Sequence, residues 1–300
     1  MWGVGIAKFE KENMGMAIGE VIWTYFKGQW HEGNLPVMGS ADHGTWLGTL
    51  VFDGARSFEG VAPDLDLHCA RVNDSAGVMG LKPVMTTQQI IDLTLEGLKN
   101  FSDDAAVYIR PMYWSTEGGA NTIIADEYST EFCLCLEQLP MPPAGSTHAL
   151  CKTAFVRPML SMATVNAKAA CLYPNNARMI REALARGYNN ALVTDALGNV
   201  AETATANIFM VKDDVVYTPV PNGTFLNGIT RQRVIGLLRE AGRDVREITL
   251  SYEDFEAADE VFMSGNISKI TPVTKFEETE YPIGPVSKQA RELYWKWAKS

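Results

Sequence analysis

Residues 139–149 read LPMPPAGSTHA, with three prolines, a glycine and small polar side chains. Proline has no amide proton to give a helix or a sheet ladder, and it pushes the residue before it into extended backbone. No regular element runs through such a stretch. The chain therefore divides into a small N-terminal domain (1–138), an interdomain linker (139–149) and a larger C-terminal domain (150–300), a division that suits 300 residues. The chain is 46% hydrophobic and 21% charged, which excludes wholesale disorder. Its net charge of −10 speaks against a protein that coats nucleic acid or anionic membrane.

Both halves mix strands and helices. Before the break, EVIWTYFKGQWHEG has hairpin alternation around Lys27-Gly28, and GTLVFDGARSFEG continues as strand material. A helix begins near Pro63 and Asp64 and places Leu67, Val72 and Ala76 on one face; a second has Ile91, Leu95 and Leu98 on its apolar stripe. AAVYIRPMYW and STEFCLCLEQL are strands. After the break, FVRPM opens with a strand, and a helix follows that ends at Gly187. NALVTDALGNVAETATANIFMVKDDVVYTP is a β-meander with turns at 197–199 and 213–214. GITRQRVIGLLREAG is a helix opened by Thr230 and closed by Gly242; strand, short helix and strand follow. Regular βαβ alternation is missing, so the expected class is α+β. The sequence contains no GxGxxG, Walker A or GxSxG run, which lowers the case for dinucleotide, P-loop or α/β-hydrolase chemistry.

The five cysteines have no framework spacing, and the first residues carry charges without an apolar core. A reducing cytoplasm with free thiols is the expected setting. Cys133 and Cys135 share one face of a strand. Two thiols alone close no tetrahedral site, and no metal is expected.

Four segments could carry chemistry. Lys168 stands in ATVNAKAACLYPNN with no carboxylate nearby in sequence. Semi-apolar surroundings lower a lysine pKa and free a nucleophilic amine, able to form an imine with a carbonyl compound. The plain alternative is a surface lysine at a strand end. Glu202, in GNVAETATANIF, needs a cationic or hydrogen-bonding partner if it is buried, and otherwise is an exposed strand residue beside a turn. In LNGITRQRVIGLL, Gly228, Ile229 and Thr230 start a helix whose free amides could hold a phosphate, or Thr230 merely caps it. Arg71 could add charge-assisted bonds to that phosphate, or could be a solvated helix arginine.

In order along the chain, GTLVFDGAR, HCARVNDSA, YIRP, NAKAACLY, GNVAETATANIF, LNGITRQ and ADEVFMSGNISKITPV resemble the class IV (fold type IV) pyridoxal-phosphate-dependent aminotransferases, and most closely the branched-chain group. The resemblance covers nearly the whole chain. It implies an α+β fold with a small N-terminal α/β domain and a larger C-terminal pseudo-barrel domain, the site lying between them near the interface of a homodimer. It implies pyridoxal 5'-phosphate as cofactor, with Lys168 as Schiff-base lysine and proton shuttle. Tyr173 then bonds the cofactor's phenolic oxygen and Glu202 pairs with its pyridine nitrogen. Arg71, Ile229, Thr230 and Asn266 hold the phosphate. The implied activity is ping-pong amino transfer between an amino acid, in the first place a branched-chain L-amino acid, and a 2-oxo acid such as 2-oxoglutarate.

Departures from the family pattern gather around the substrate. Arg110 matches an arginine that holds the distal carboxylate of glutamate in several bacterial relatives, beside Tyr108. Leu47 stands where many relatives carry a tyrosine. Asp53 and Ala55 alter the usual FEGIR wording. Asn266, Ile267 and Ser268 replace a Thr-Ala-Ala run whose amides receive the substrate α-carboxylate, and Ile267 adds volume there. Rivals on the same fold are an (R)-selective amine transaminase, a D-amino-acid transaminase and an aminodeoxychorismate lyase. A rival of another class is a binding protein that keeps the fold without catalysis. None of the four histidines is given a catalytic role.

Overall fold

A computed structural model describes Gly19 and residues 21–300. The reading of the first residues as lacking a leader lies outside the described part. The first sheet holds β1 (Ile22–Phe26), β2 (Gln29–Glu32), β3 (Leu50–Phe52), β4 (Ala55–Ser57), β5 (Val107–Ser115) and β6 (Thr130–Gln138). Its order is β2-β1-β6-β5-β3, with β4 also on β5, and its pairings are antiparallel. The β1–β2 hairpin turns at Lys27 and Gly28, both at positive φ (49° and 83°), the two-residue turn that matches strand twist.

The second sheet holds β7 (His148–Lys152), β8 (Asn190–Thr194), β9 (Val200–Thr203), β10 (Asn207–Lys212), β11 (Val215–Pro219), β12 (Val245–Ile248), β13 (Glu260–Gly265), β14 (Lys269–Phe276) and β15 (Thr279–Glu280). Its order is β12-β11-β10-β13-β14-β7-β8-β9, with β15 on β14. The pairs β11–β12, β14–β7 and β7–β8 are parallel and the rest antiparallel. The helices are α1 (His43–Trp46), α2 (Leu65–Val78), α3 (Thr87–Leu98), α4 (Tyr173–Ala185), α5 (Ile229–Glu240), α6 (Tyr252–Glu256) and α7 (Pro285–Ala298). This is the expected α+β mixture.

Helices α2 and α3 cover the first sheet, burying Val72, Ala76 and Ile90 with Ile109, Leu134 and Leu136. A capping box at Thr86 and Gln89 starts α3, worth on the order of 1 kcal/mol. Helices α5 and α7 cover the second sheet, where Phe209 and Phe262 stack with centroids 4.8 Å apart. The two sheets meet at the segment before α4. The Phe52 amide donates to the Lys168 carbonyl at 3.1 Å, and Val51 bridges Ala169. The Lys168 amide donates to Ser75 Oγ at 3.1 Å. Lys168 is thus tied by its backbone to β3 and α2.

Several sequence expectations are corrected. Leu67 is exposed, and the buried face of α2 instead carries Leu65, His68, Cys69, Val72, Ser75 and Ala76. Leu95 is exposed too; the buried face of α3 is Ile90, Thr94 and Gly97. Gly97 sits there because a Cβ would come within 2.4 Å of the Trp30 ring, so the helix rolls to let the indole in. FVRPM is loop, with Arg157 N–H bonded to the Thr194 carbonyl and no ladder around it. The strand begins earlier, at His148, inside the expected linker. The meander keeps its turns, with Gly198 at φ 89° and Asp213 and Asp214 at 50° and 61°. It breaks between β9 and β10, however, where Thr203 Oγ and N–H both bond the Ala206 carbonyl.

Candidate active site

A cavity of about 320 Å³ opens between the sheets, in the size class of small-molecule sites. Lys168, Tyr173, Glu202, Arg71, Ile229, Thr230, Asn266, Tyr108 and Ile267 all line it. Leu47, Arg110 and Ser268 do not. Leu47 ends α1, its amide bonded to the His43 carbonyl. Ser268 lies in the turn between β13 and β14. Arg110 Nη2 bonds Glu137 Oε2 at 2.7 Å and its guanidinium lies 4.8 Å from the Tyr108 ring centroid. Glu137 is a buried carboxylate that needs a cation, and Arg110 serves it.

Lys168 Nζ donates to the Tyr173 hydroxyl at 2.6 Å and lies 4.8 Å from the centroid of the Phe52 ring. The pair exists because Tyr173 is the first residue of α4, one short turn after the lysine. The expected depression of the lysine is not found. Burial does disfavour its ammonium, but Tyr173, Asp53 and Tyr108 outweigh burial and hold the pKa above the ordinary lysine value. The carboxylate missing from the local sequence, Asp53, comes from the link between β3 and β4.

Glu202 is held from two sides. Arg157 Nη2 is 2.9 Å from Oε1, and Asn207 Nδ2 donates to Oε2 at 3.2 Å. Burial pushes the carboxyl above its ordinary range, against the pull of Arg157 and Lys168. Arg157 is itself fixed by Asn176 Oδ1 and the carbonyls of Thr203 and Ala204. A carboxylate so placed gains from a further cation on its cavity side.

Asp53 is fully buried and accepts from Arg71 Nε (2.6 Å), Arg71 Nη2 (2.9 Å), His68 Nδ1 (2.7 Å) and the Gly54 amide (2.7 Å). Burial alone would raise its pKa; Arg71 and His68 hold it far below the ordinary carboxylate range. The same burial lowers the pKa of His68, which Asp53 only partly offsets. Gly228 is the cap residue before α5 and gives no side-chain cap, so Thr230 does not cap the helix and its first amides stay available. Gly228 leaves room for Asn207: a Cβ there would lie 2.2 Å from Asn207 Oδ1, so that side chain would have to shift. Ser264 Oγ and Asn266 Nδ2, both on cavity-lining residues, are buried without a protein partner.

These features fit pyridoxal phosphate. Free helix amides, Arg71 and two orphaned polar groups suit a phosphate, an amine-bearing lysine suits its aldehyde, and a buried carboxylate suits a ring cation. Sequence reading missed Arg157, Asn207 and His68 as site residues. Nothing around Arg157 in FVRPM marks it; its partners come from distant segments. Among the described residues no cluster of histidine, cysteine and carboxylates could hold a metal, and no helix is long and apolar enough to cross a membrane. All five cysteines are free.

Comparison with known proteins gives the family. The model of the amino-transferase class IV family matches residues 50–276. The Escherichia coli (strain K12) branched-chain-amino-acid aminotransferase is 29% identical over 292 residues, covering 92% of each chain. Among solved structures, an aminotransferase from Brucella abortus bound to PLP is 59% identical with a TM-score of 0.92, covering 93% of this chain and all of that one. The branched-chain aminotransferase of Thermoproteus uzoniensis is 26% identical with a TM-score of 0.84, covering 93% and 95% of the two chains. With residues 50–276 matched and this cavity at their centre, the chain belongs to the class IV aminotransferases, fold type IV enzymes that use pyridoxal phosphate.

Proposed function

We propose that this aminotransferase moves amino groups from branched-chain L-amino acids to a 2-oxo acid, with Lys168 as its catalytic residue. The observation that carries the reading is the placing of Lys168–Tyr173 and of Glu202–Arg157 on the walls of one cavity, with the start of α5 on a third side. When bound, the cofactor supplies an aldehyde that captures amines and a ring that withdraws electrons from the donor α-carbon. Lys168 Nζ, once it has given up its own proton, would take the proton from that α-carbon and later return one, with Tyr173 holding it in place. Tyr173 orients Nζ and the phenolic side of the ring. Glu202, fixed by Arg157 and Asn207, keeps a proton on the ring nitrogen. Arg71, Ile229, Thr230 and Asn266 bind the phosphate.

Phe52, Val165, Phe225 and Ile267 give the cavity an apolar wall, which supports an aliphatic donor side chain. One observation favours a second reading. Arg110 is engaged with Glu137 and does not line the cavity. An amine without a distal carboxylate, as for an (R)-selective amine transaminase, needs no such arginine. Half-reactions with L-leucine, L-glutamate, D-alanine and (R)-1-phenylethylamine, followed by the cofactor spectrum, separate the two. Fast conversion by L-leucine supports the first reading; conversion by the aryl amine alone overturns it.

The working unit in this reading is a cytoplasmic homodimer. Trp46, Ile123 and Ile124 are 56%, 66% and 65% exposed. His43 links their two segments, its ring packing on Trp46 and its Nε2 bonding the Thr122 carbonyl. An apolar group of this size suits an interface. Light scattering on the purified protein checks it, and a monomer at working concentration would overturn it.

A further inference from the structure

The turn from β13 to β14 is built around a lysine in an unusual position. Gly265 pairs with Lys269 across the turn, and Lys269 has φ 61°, the left-handed conformation that a short hairpin loop ordinarily gives to glycine. A side chain there costs on the order of 1 kcal/mol. Lys269 is also fully buried, and no carboxylate is among its hydrogen-bond partners in the described residues. Its Nζ lies 5.9 and 5.8 Å from the ring centroids of Phe58 and Tyr294. Its side-chain hydrogen bond runs from Nζ to Asn266 Oδ1, at 2.8 Å.

We propose that Lys269 is a positioning residue: by holding Asn266 Oδ1 it leaves the amide Nδ2 as the end offered to the cofactor phosphate. An ammonium can only donate, so it selects the oxygen of a side-chain amide. The other end, Nδ2, is then the donor, and it is buried with no protein partner on a residue that lines the cavity. A phosphate oxygen is the acceptor it lacks. With Lys269 replaced by an apolar side chain, the amide is free to turn over and present an oxygen to an anion. Burial, with Arg56 beside it, pushes Lys269 down to about 7, while Asp64 opposes; an incoming phosphate dianion favours the ammonium form again.

The inference rests on the reading of Asn266 as a phosphate ligand, and the two are separable by titrating apoenzyme with pyridoxal phosphate. Lys269→Met should weaken cofactor binding by about tenfold, the worth of one charge-assisted hydrogen bond. In an Asn266→Thr background, where a hydroxyl can donate without being held, the same change should cost less than about twofold. Equal losses in both backgrounds would mean that Lys269 acts only as a charge or a prop, and would overturn the proposal. Unchanged binding by Lys269→Met, with Asn266→Ala weakened, overturns the positioning role alone. Unchanged binding by Asn266→Ala removes the phosphate reading and the proposal with it. Lys269→Gly, which relieves the positive φ, is read in the same way should the methionine variant not fold.

Discussion

Asp53 offers the sharpest test of how the cavity wall is held. Asp53→Asn keeps the shape but removes the charge that faces Arg71 and His68. Taking one member from a buried ion pair costs about 3–5 kcal/mol, because the other charge is left without a partner. Here the lower end applies. The Arg71 side chain keeps 21% of its surface exposed, on a residue that lines the cavity, so water can rehydrate it in part. The expected loss is about 3 kcal/mol, on the order of a hundredfold in the unfolding constant. The native carboxyl is held far below its unfolded value, so its contribution is complete above about pH 5 and fades only as pH falls below about 4. Urea titration of the two apoproteins should show this gap at pH 7 and its narrowing in strong acid. A gap under about 1 kcal/mol at pH 7, or one that does not narrow below about pH 4, would refute the ion-pair argument.

Three further outcomes are expected. Lys168→Ala should leave no cofactor attached to the chain after borohydride reduction and slow turnover by several orders of magnitude; intact activity would end the catalytic assignment. Glu202→Gln should still bind cofactor but run its half-reactions slower by about a hundredfold, the usual loss when one preorganised electrostatic partner goes. Single-turnover rates equal to wild type would contradict the pairing with a ring cation. Gly228→Ala should cost about 1–3 kcal/mol by overpacking against Asn207 and also loosen the cofactor. Thermal melts and dialysis measure the two effects, and a neutral variant would show that Asn207 yields freely.

Local pattern and segment wording carried much of this protein. Paired apolar runs pointed to most of the strands, because that signal depends on neighbours in the chain, while β7 starts inside the proline-rich break. The order of NAKAACLY, GNVAETATANIF and LNGITRQ pointed to a lysine, a carboxylate and a helix start that do line one cavity. Tertiary structure decided what each residue faces. Leu95 and Ile90 are equally plausible inward residues until Trp30 claims the space at Gly97. Lys168 had no carboxylate in its surroundings until Asp53 came near it from the link between β3 and β4, with Tyr108 from β5. Arg157 carries no local mark, and the sequence around Lys269 does not say that it is buried. Their meaning lies in Glu202, 45 residues away, and in the amide of Asn266 across a strained turn. Charge and hydrogen bonding act through space, and the chain's order fixes only which groups exist, not which of them meet.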